Sequence, residues 1–270
     1  MQLHMIGLND PSIKLATAFP DQEKISSGKG LTLLGDIVGE GDERKRAFIK
    51  VLSIENIAKE AICSVLARHL HLPVQQAFYV SMINTEYSGQ GNVEDVAFGM
   101  LNDRMPSLRL TNTQGIEDKL LKWPDLLRAA VFDEWIANRD RIPNNMVYER
   151  SDLFWLYDHD DAFPSYVRPA TPVNPQLLAI AAKGKTEFEL FKIRDDAMRI
   201  VGDYKLIDWD QIYIYLNIST IPSARFFFDK YVSFLKERLL EFRNILTLDL
   251  QIKQSELFLN TRNKFNTEIK

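Results

Sequence analysis

Cysteine is almost missing from this chain: of 270 residues only Cys63 carries a thiol. That excludes an internal disulfide framework and a cysteine-based zinc site, and it suits a reducing compartment. Histidine is scarce too, with four residues, and the neighbours His69 and His71 make no metal-ligand constellation. No apolar run is long enough to span a bilayer. The start, Met1-Gln-Leu-His-Met-Ile6, lacks a cationic segment followed by an apolar one, so no signal peptide is expected. Charge of one sign is also lacking. A net charge of −4 gives no global drive toward nucleic acid or an anionic membrane. Neither is an expected partner, and cytoplasm is the expected location. What is present is ordinary globular composition, 46% hydrophobic and 26% charged residues, in a chain long enough for one large domain or two lobes.

The chain changes texture along its length. Leu31-Thr-Leu-Leu34 and Ala47-Phe-Ile-Lys-Val-Leu52 read as short strands around a polar hairpin turn, Gly39 to Arg46. From Ile54 to Leu70, Ile57, Ala58, Ala61, Ile62, Val65 and Leu66 recur at helical spacing. Leu72-Pro73-Val74 stops that helix. Strands are expected at Ala77–Ile83 and Val96–Leu101. Beyond residue 105 the pattern turns helical: Lys119–Asn138, with Pro124 at the start of the helix proper, then Asp195–Val201, Trp209–Leu216 and Ser223–Leu246. Ser223 is the expected N-cap of the last. Arg225-Phe-Phe-Phe228 with Tyr231 and Phe234 reads as core packing. The predicted class is α+β with two lobes, a strand-rich one over 1–103 with one main helix and a mostly helical one over 104–270.

One run interrupts the helical half: Trp135-Ile-Ala-Asn-Arg-Asp140-Arg-Ile-Pro-Asn-Asn145, followed by the apolar strand Leu153-Phe-Trp-Leu-Tyr157 and Asp158. A carboxylate, an amide five positions on, and a carboxylate closing a strand is the layout of kinase-type phosphoryl transfer. Asp140 would face the acceptor hydroxyl as catalytic base. Asn145 and Asp158 offer the hard oxygen ligands that magnesium requires, and Pro143 pins the loop. The same residues also suit a polar turn after a helix.

Lys50 lies in an apolar strand, where an ammonium must point to solvent or meet an anion. Lysine on an edge strand is the plain alternative. Glu60, on the next helix, offers the counter-charge of a Lys–Glu pair beside ATP phosphates, with Glu55 as competitor. Ser26-Ser27-Gly28-Lys-Gly30 either presents backbone N–H groups to phosphate or forms a plain turn. It is not a Walker A loop, because a strand follows. Phe98-Gly99-Met100 either supplies backbone bonds to adenine or is a buried strand with a close-packed glycine. His159 and Asp160 lack a nearby Ser or Cys nucleophile for hydrolytic chemistry, and Cys63 reads as a buried thiol.

Together the run from Trp135 to Asn145, its close on Leu156-Tyr-Asp-His159-x-x-Ala-Phe163, and Glu60-Ala…Leu-Pro-Val74 upstream resemble the compact HipA-like kinases. Those share their core with phosphoinositide-type kinases. The resemblance covers most of residues 25–165. It implies an ATP- and magnesium-dependent kinase acting on protein Ser/Thr, with Lys50 on ATP phosphates, Asp140 as base, and Asn145 and Asp158 on magnesium. Ser26, Ser27 and Gly28 match the family's phosphate loop, and Phe98 and Gly99 its adenine-side strand. Larger relatives serve as toxins held by an antitoxin, so the implied partners are a protein substrate and an antitoxin or regulatory protein. His71 departs from the pattern, standing in place of a glycine, as do Asp160 and Asp161 in place of small residues. A non-catalytic scaffold and a kinase of small molecules or lipids are the competing readings.

Overall fold

The computed structural model describes residues 10–26, 30–102, 115–139, 141, 145–150 and 153–252. These form a mixed α+β structure of seven strands and seven α-helices. The N-terminal part is a five-stranded closed barrel in the order β1-β2-β3-β5-β4. Its strands are β1 Lys14–Ser26, β2 Leu31–Gly39, β3 Arg44–Val51, β4 Ala77–Ser81 and β5 Val96–Leu101.

Closure was not anticipated, because β1 was not. Its charged stretch Asp21-Gln-Glu-Lys24 hides any apolar alternation. The strand pairs antiparallel with β2 along its length, with a register shift between Ala18 and Gln22. Its first residues, Lys14–Thr17, pair in parallel with Phe78–Ser81 of β4. One strand thereby serves two neighbours and joins the sheet's ends. Gln22 folds over Gly35, where a side chain would collide with its amide. The β2–β3 hairpin is tighter than expected: β2 runs to Gly39, and the turn uses Gly41 and Asp42 at φ of 86° and 57°.

Alternation along β3 sorts its side chains between two environments. Ala47, Ile49 and Val51 fill the barrel with Leu33, Ile37, Phe78, Val80 and Ala97. The residues between them, Phe48 and Lys50, therefore face the other way. On that outer side lies helix α1, Ile54–His69, capped by Ser53 and buried on most of its surface. It ends in a Schellman motif: His71 N–H donates to Arg68 O at 3.0 Å and Leu72 N–H to Ala67 O at 2.8 Å. His71 takes φ of 57° there, the left-handed conformation that glycine adopts without cost.

The expected helix over Lys119–Asn138 is two helices, α2 Ile116–Lys122 and α3 Leu126–Trp135, because Pro124 sits in the break between them. Strands β6 Met146–Arg150 and β7 Leu153–Leu156 form a separate antiparallel pair. Helix α4, Gln176–Ala182, was not foreseen. Helix α5, Glu187–Tyr204, starts well before Asp195, at a Thr186/Glu189 capping box. Asp208 caps α6, Trp209–Tyr215. Helix α7, Arg225–Asp249, follows a 3-10 turn over Pro222–Ala224, so Ser223 lies in that turn and Ala224 holds the cap position. Phe228 is buried as expected, but Phe226 is 70% exposed.

Barrel and helices share one core. It runs from Ile13, Tyr79, Phe98 and Met100 through α1 to Trp135, Tyr204, Phe228 and Phe242. Backbone and side chain stitch across it: Ile13 N–H donates to Tyr215 O at 2.8 Å, and the Tyr79 hydroxyl to Leu216 O at 2.9 Å. The expected lobe boundary at 103/104 falls in 103–114, outside the described residues.

Two substitutions test this packing. A Cβ on Gly99 would stand 2.6 Å from Val80 Cγ2, and valine is stiff at χ1. Gly99→Ala should cost about 1–3 kcal/mol of unfolding free energy in urea, part of it recovered by adding Val80→Ala. His71→Gly should gain about 1 kcal/mol by relieving the left-handed backbone. An unchanged or lowered urea midpoint would count against that account of the turn.

Candidate active site

Lys50 is the centre of the site. It projects from the outer face of β3, opposite Phe98 of β5, and its Nζ bonds Glu60 Oε1 and, at 2.9 Å, Asp158 Oδ1. Barrel strand, helix α1 and the end of β7 thus meet at one ammonium. Burial works against that charge, but Glu60 and then Asp158 outweigh it and hold the Lys50 pKa above its ordinary value. Burial likewise opposes the Glu60 carboxylate, yet Lys50 and then His159 hold its pKa well below the usual range.

The two carboxylates differ in access. The Glu60 side chain is fully buried, whereas that of Asp158 is 36% exposed. Glu60 has no room for a further ligand: its Oε2 accepts the His159 backbone N–H at 3.1 Å and faces His159 Nδ1 at 3.3 Å. Because a carboxylate only accepts, the ring proton belongs on Nδ1. Burial keeps His159 neutral, lowering its pKa, and its ring meets Phe132 edge-on at 6.3 Å. His159 is therefore a buried spacer under Asp158, a role that weighing it for hydrolytic chemistry could not reveal.

Asp158 itself has φ of 58°. That turn lets consecutive side chains diverge, Asp158 to Lys50 and His159 to Glu60. Asp160 comes back toward Asp158, and the two carboxyls share a hydrogen bond. The turn is held by Lys59, whose Nζ donates to Asp160 O at 3.4 Å. Burial first, and the Asp158 hydrogen bond and charge next, push the Asp160 pKa up to about 7.

Asn145 opens β6, where Met146 pairs with Leu156. Its carbonyl accepts the Tyr157 N–H at 3.0 Å, which brings its backbone beside the residue before Asp158. Glu60, Lys50 and Asp158 are thus in direct contact, with Asn145 next to them along the β6–β7 ladder. Asp140, Ser27, Gly28 and Pro143 lie outside the described residues, and Ser26 ends β1 opposite Thr32.

Phe98, Gly99 and Met100 lie in the middle of the barrel sheet. They sit in a strand paired on both sides, to β3 and to β4, and Phe98 is fully buried in the core. The two ladders engage both edges of this stretch. The close-packed glycine explains the sequence.

The donor set fits magnesium. Asp158 and Asn145 supply oxygen atoms of the kind that hard cations take. Asp158 is crowded by a second carboxyl, while Lys50 is already shared with Glu60. A dication there would relieve repulsion that is otherwise met by protonating Asp160. Among the described residues no cluster of three or more His, Cys, Asp or Glu side chains forms a ready metal cage.

The family model of the HipA-like kinases matches residues 40–174, half of the chain and the part that carries Lys50, Glu60, Asn145 and Asp158. The chain belongs to the HipA-like kinase family. Membership implies kinase-type phosphotransfer and nucleotide use in general. No curated protein matches the sequence. No helix among the described residues is long and apolar enough to cross a membrane.

An acid whose pKa is higher folded than unfolded weakens the fold as pH rises past its ordinary value, fully so above the folded pKa. For Asp160 that window runs from about 4 to about 7. Asp160→Asn should therefore raise the melting temperature at pH 8 and lose that gain by pH 4. A gain independent of pH, read by calorimetry, would show that the Asp160 charge is not the cause.

Proposed function

We propose that this protein is an ATP- and magnesium-dependent kinase that passes the γ-phosphoryl group to a hydroxyl, most simply a serine or threonine of another protein. The observation that carries the reading is the Lys50 bridge between Glu60 and Asp158, which lie 10 and 108 residues from it along the chain. Such a bridge is the phosphate-anchoring arrangement of kinases. In this reading the barrel with α1 is the nucleotide-side lobe and the helices from α2 onward form the other.

The chain's own residues divide the work. Lys50, kept charged by its two partners, neutralises phosphate oxygens. Glu60 fixes the ammonium's direction and is itself fixed by His159. Asn145 and Asp158 would hold magnesium, which when bound would offset the phosphate charge. Asp140 orients the acceptor hydroxyl and takes its proton as the bond to phosphorus forms. Phosphoryl transfer needs positioning and charge compensation more than covalent help, and this set supplies both. Residues 26–30 contribute backbone N–H groups to the phosphates, and adenine contacts come from beyond the end of β5. A regulatory or antitoxin-like protein partner accords with the family.

Incubation with labelled ATP and magnesium tests the proposal. Asp140→Ala, Asp158→Ala and Lys50→Met should each reduce label transfer by about 100-fold or more, the scale of losing one preorganised electrostatic group. Asp158→Ala should also remove magnesium-dependent protection by ATP in a thermal-shift measurement. Equal transfer by all four proteins would take these residues out of the mechanism.

A further inference from the structure

The loop between α3 and β6 holds one side chain that the catalytic reading does not use. Arg141 follows Asp140 in sequence and is buried to 1% exposure. Its Nε lies 3.1 and 3.2 Å from the two oxygens of Asp133, and its Nη2 2.8 Å from Asp133 Oδ1. Asp133, on α3, is fully buried and also accepts from the Asn138 amide at 3.2 Å. The remaining arm of the fork, Nη1, donates to the carbonyl of Tyr157.

Tyr157 is the residue just before Asp158, and its N–H is the one bonded to Asn145 O. Both backbone groups of Tyr157 are therefore held, one by Asn145 and one by Arg141. We infer that Arg141, oriented by Asp133, is a positioning residue that sets the spacing of Asn145 and Asp158. The inference rests on the kinase reading above, since it assigns those two residues to one cation.

Two considerations favour this over plain core stability. A buried ion pair adds little net stability over an apolar replacement of the same shape, so its presence calls for a geometric reason. And the guanidinium is rigid and planar, so one group fixes three directions at once, which suits ligands that must be placed to within roughly 0.5 Å. A neighbouring pair supplies the contrast. Arg238 bonds Glu134, the next residue of α3, and its other partners are carbonyls of Glu134, Arg168, Pro169 and Thr171. None of these is in the site.

The experiment compares Arg141→Lys with Arg238→Lys, each keeping its charge but losing the fork. Hydrogen exchange at the Tyr157 amide and thermal protection by ATP over a magnesium chloride titration are read on both. Arg141→Lys should speed that exchange and raise the magnesium concentration for half-maximal protection about tenfold, the scale of losing a group behind a metal ligand. Magnesium-free ATP protection should stay as in the unaltered protein. Arg238→Lys should lower the melting temperature without moving either readout. Asp133→Asn, which keeps the shape and weakens the pair, should give the same shifts to a lesser degree, and decides the matter if Arg141→Lys does not fold. Unchanged exchange and magnesium dependence in the Arg141 or Asp133 variant, or equal shifts in Arg238→Lys, would overturn the inference alone. Absence of magnesium-dependent protection in the unaltered protein would overturn the kinase reading and this inference with it.

Discussion

An ammonium cannot be left alone in a protein interior, and much of this molecule's arrangement reflects how that constraint is met at Lys50. The alternation of β3 turns it away from the barrel, and the barrel wall offers it no partner. Its charge is answered by one carboxylate from α1 and one from the end of β7. Helix α1 must therefore run past the outer face of β3, and β7 must end against it. The loop after α1 makes the second join: Leu156 N–H donates to Pro73 O at 2.8 Å. Desolvating three charges is expensive, and such an arrangement persists only where geometry and extra hydrogen bonds compensate. His159 provides the latter by satisfying the far side of Glu60.

What the sequence disclosed and what it withheld divide along physical lines. Lys50, Glu60 and Asp158 were legible as a candidate cluster because a charged residue in an apolar run needs partners, and the structure puts the three in contact. Helix α1 was legible because its apolar positions repeat at helical spacing. Strand β1 was not, since charged residues and Pro20 interrupt its alternation and its pairing to β4 joins distant segments. Phe98 to Met100 left two readings open because a buried central strand and an adenine-side strand have the same composition; the structure adds the pairing on both edges. Arg141 and Asp133 were invisible for a different reason. Nothing in a polar loop residue announces that it will be swallowed by the core, and the partner that draws it in lies a helix turn or two away.

His71 and Asp160 are two places where the local chemistry is not ideal, and both have local structural meaning. At His71 the helix still ends in the glycine-type turn, with the backbone strain borne by a histidine. At Asp160 a carboxyl crowds the residue that bridges to Lys50, coupling local charge to proton concentration near neutrality. A strained turn and an extra acid at such positions are departures from ideal local chemistry, of the sort that folds tolerate near working sites.

The closed barrel has a consequence for how another polypeptide can be met. Each of its five strands has a neighbour on either side over part of its length, so an extended segment arriving at those doubly paired stretches finds no row of vacant amides and carbonyls to zip onto. Recognition by strand addition, common wherever a sheet offers a free border, would have to use a stretch such as β1 beyond Thr17, which pairs with β2 alone.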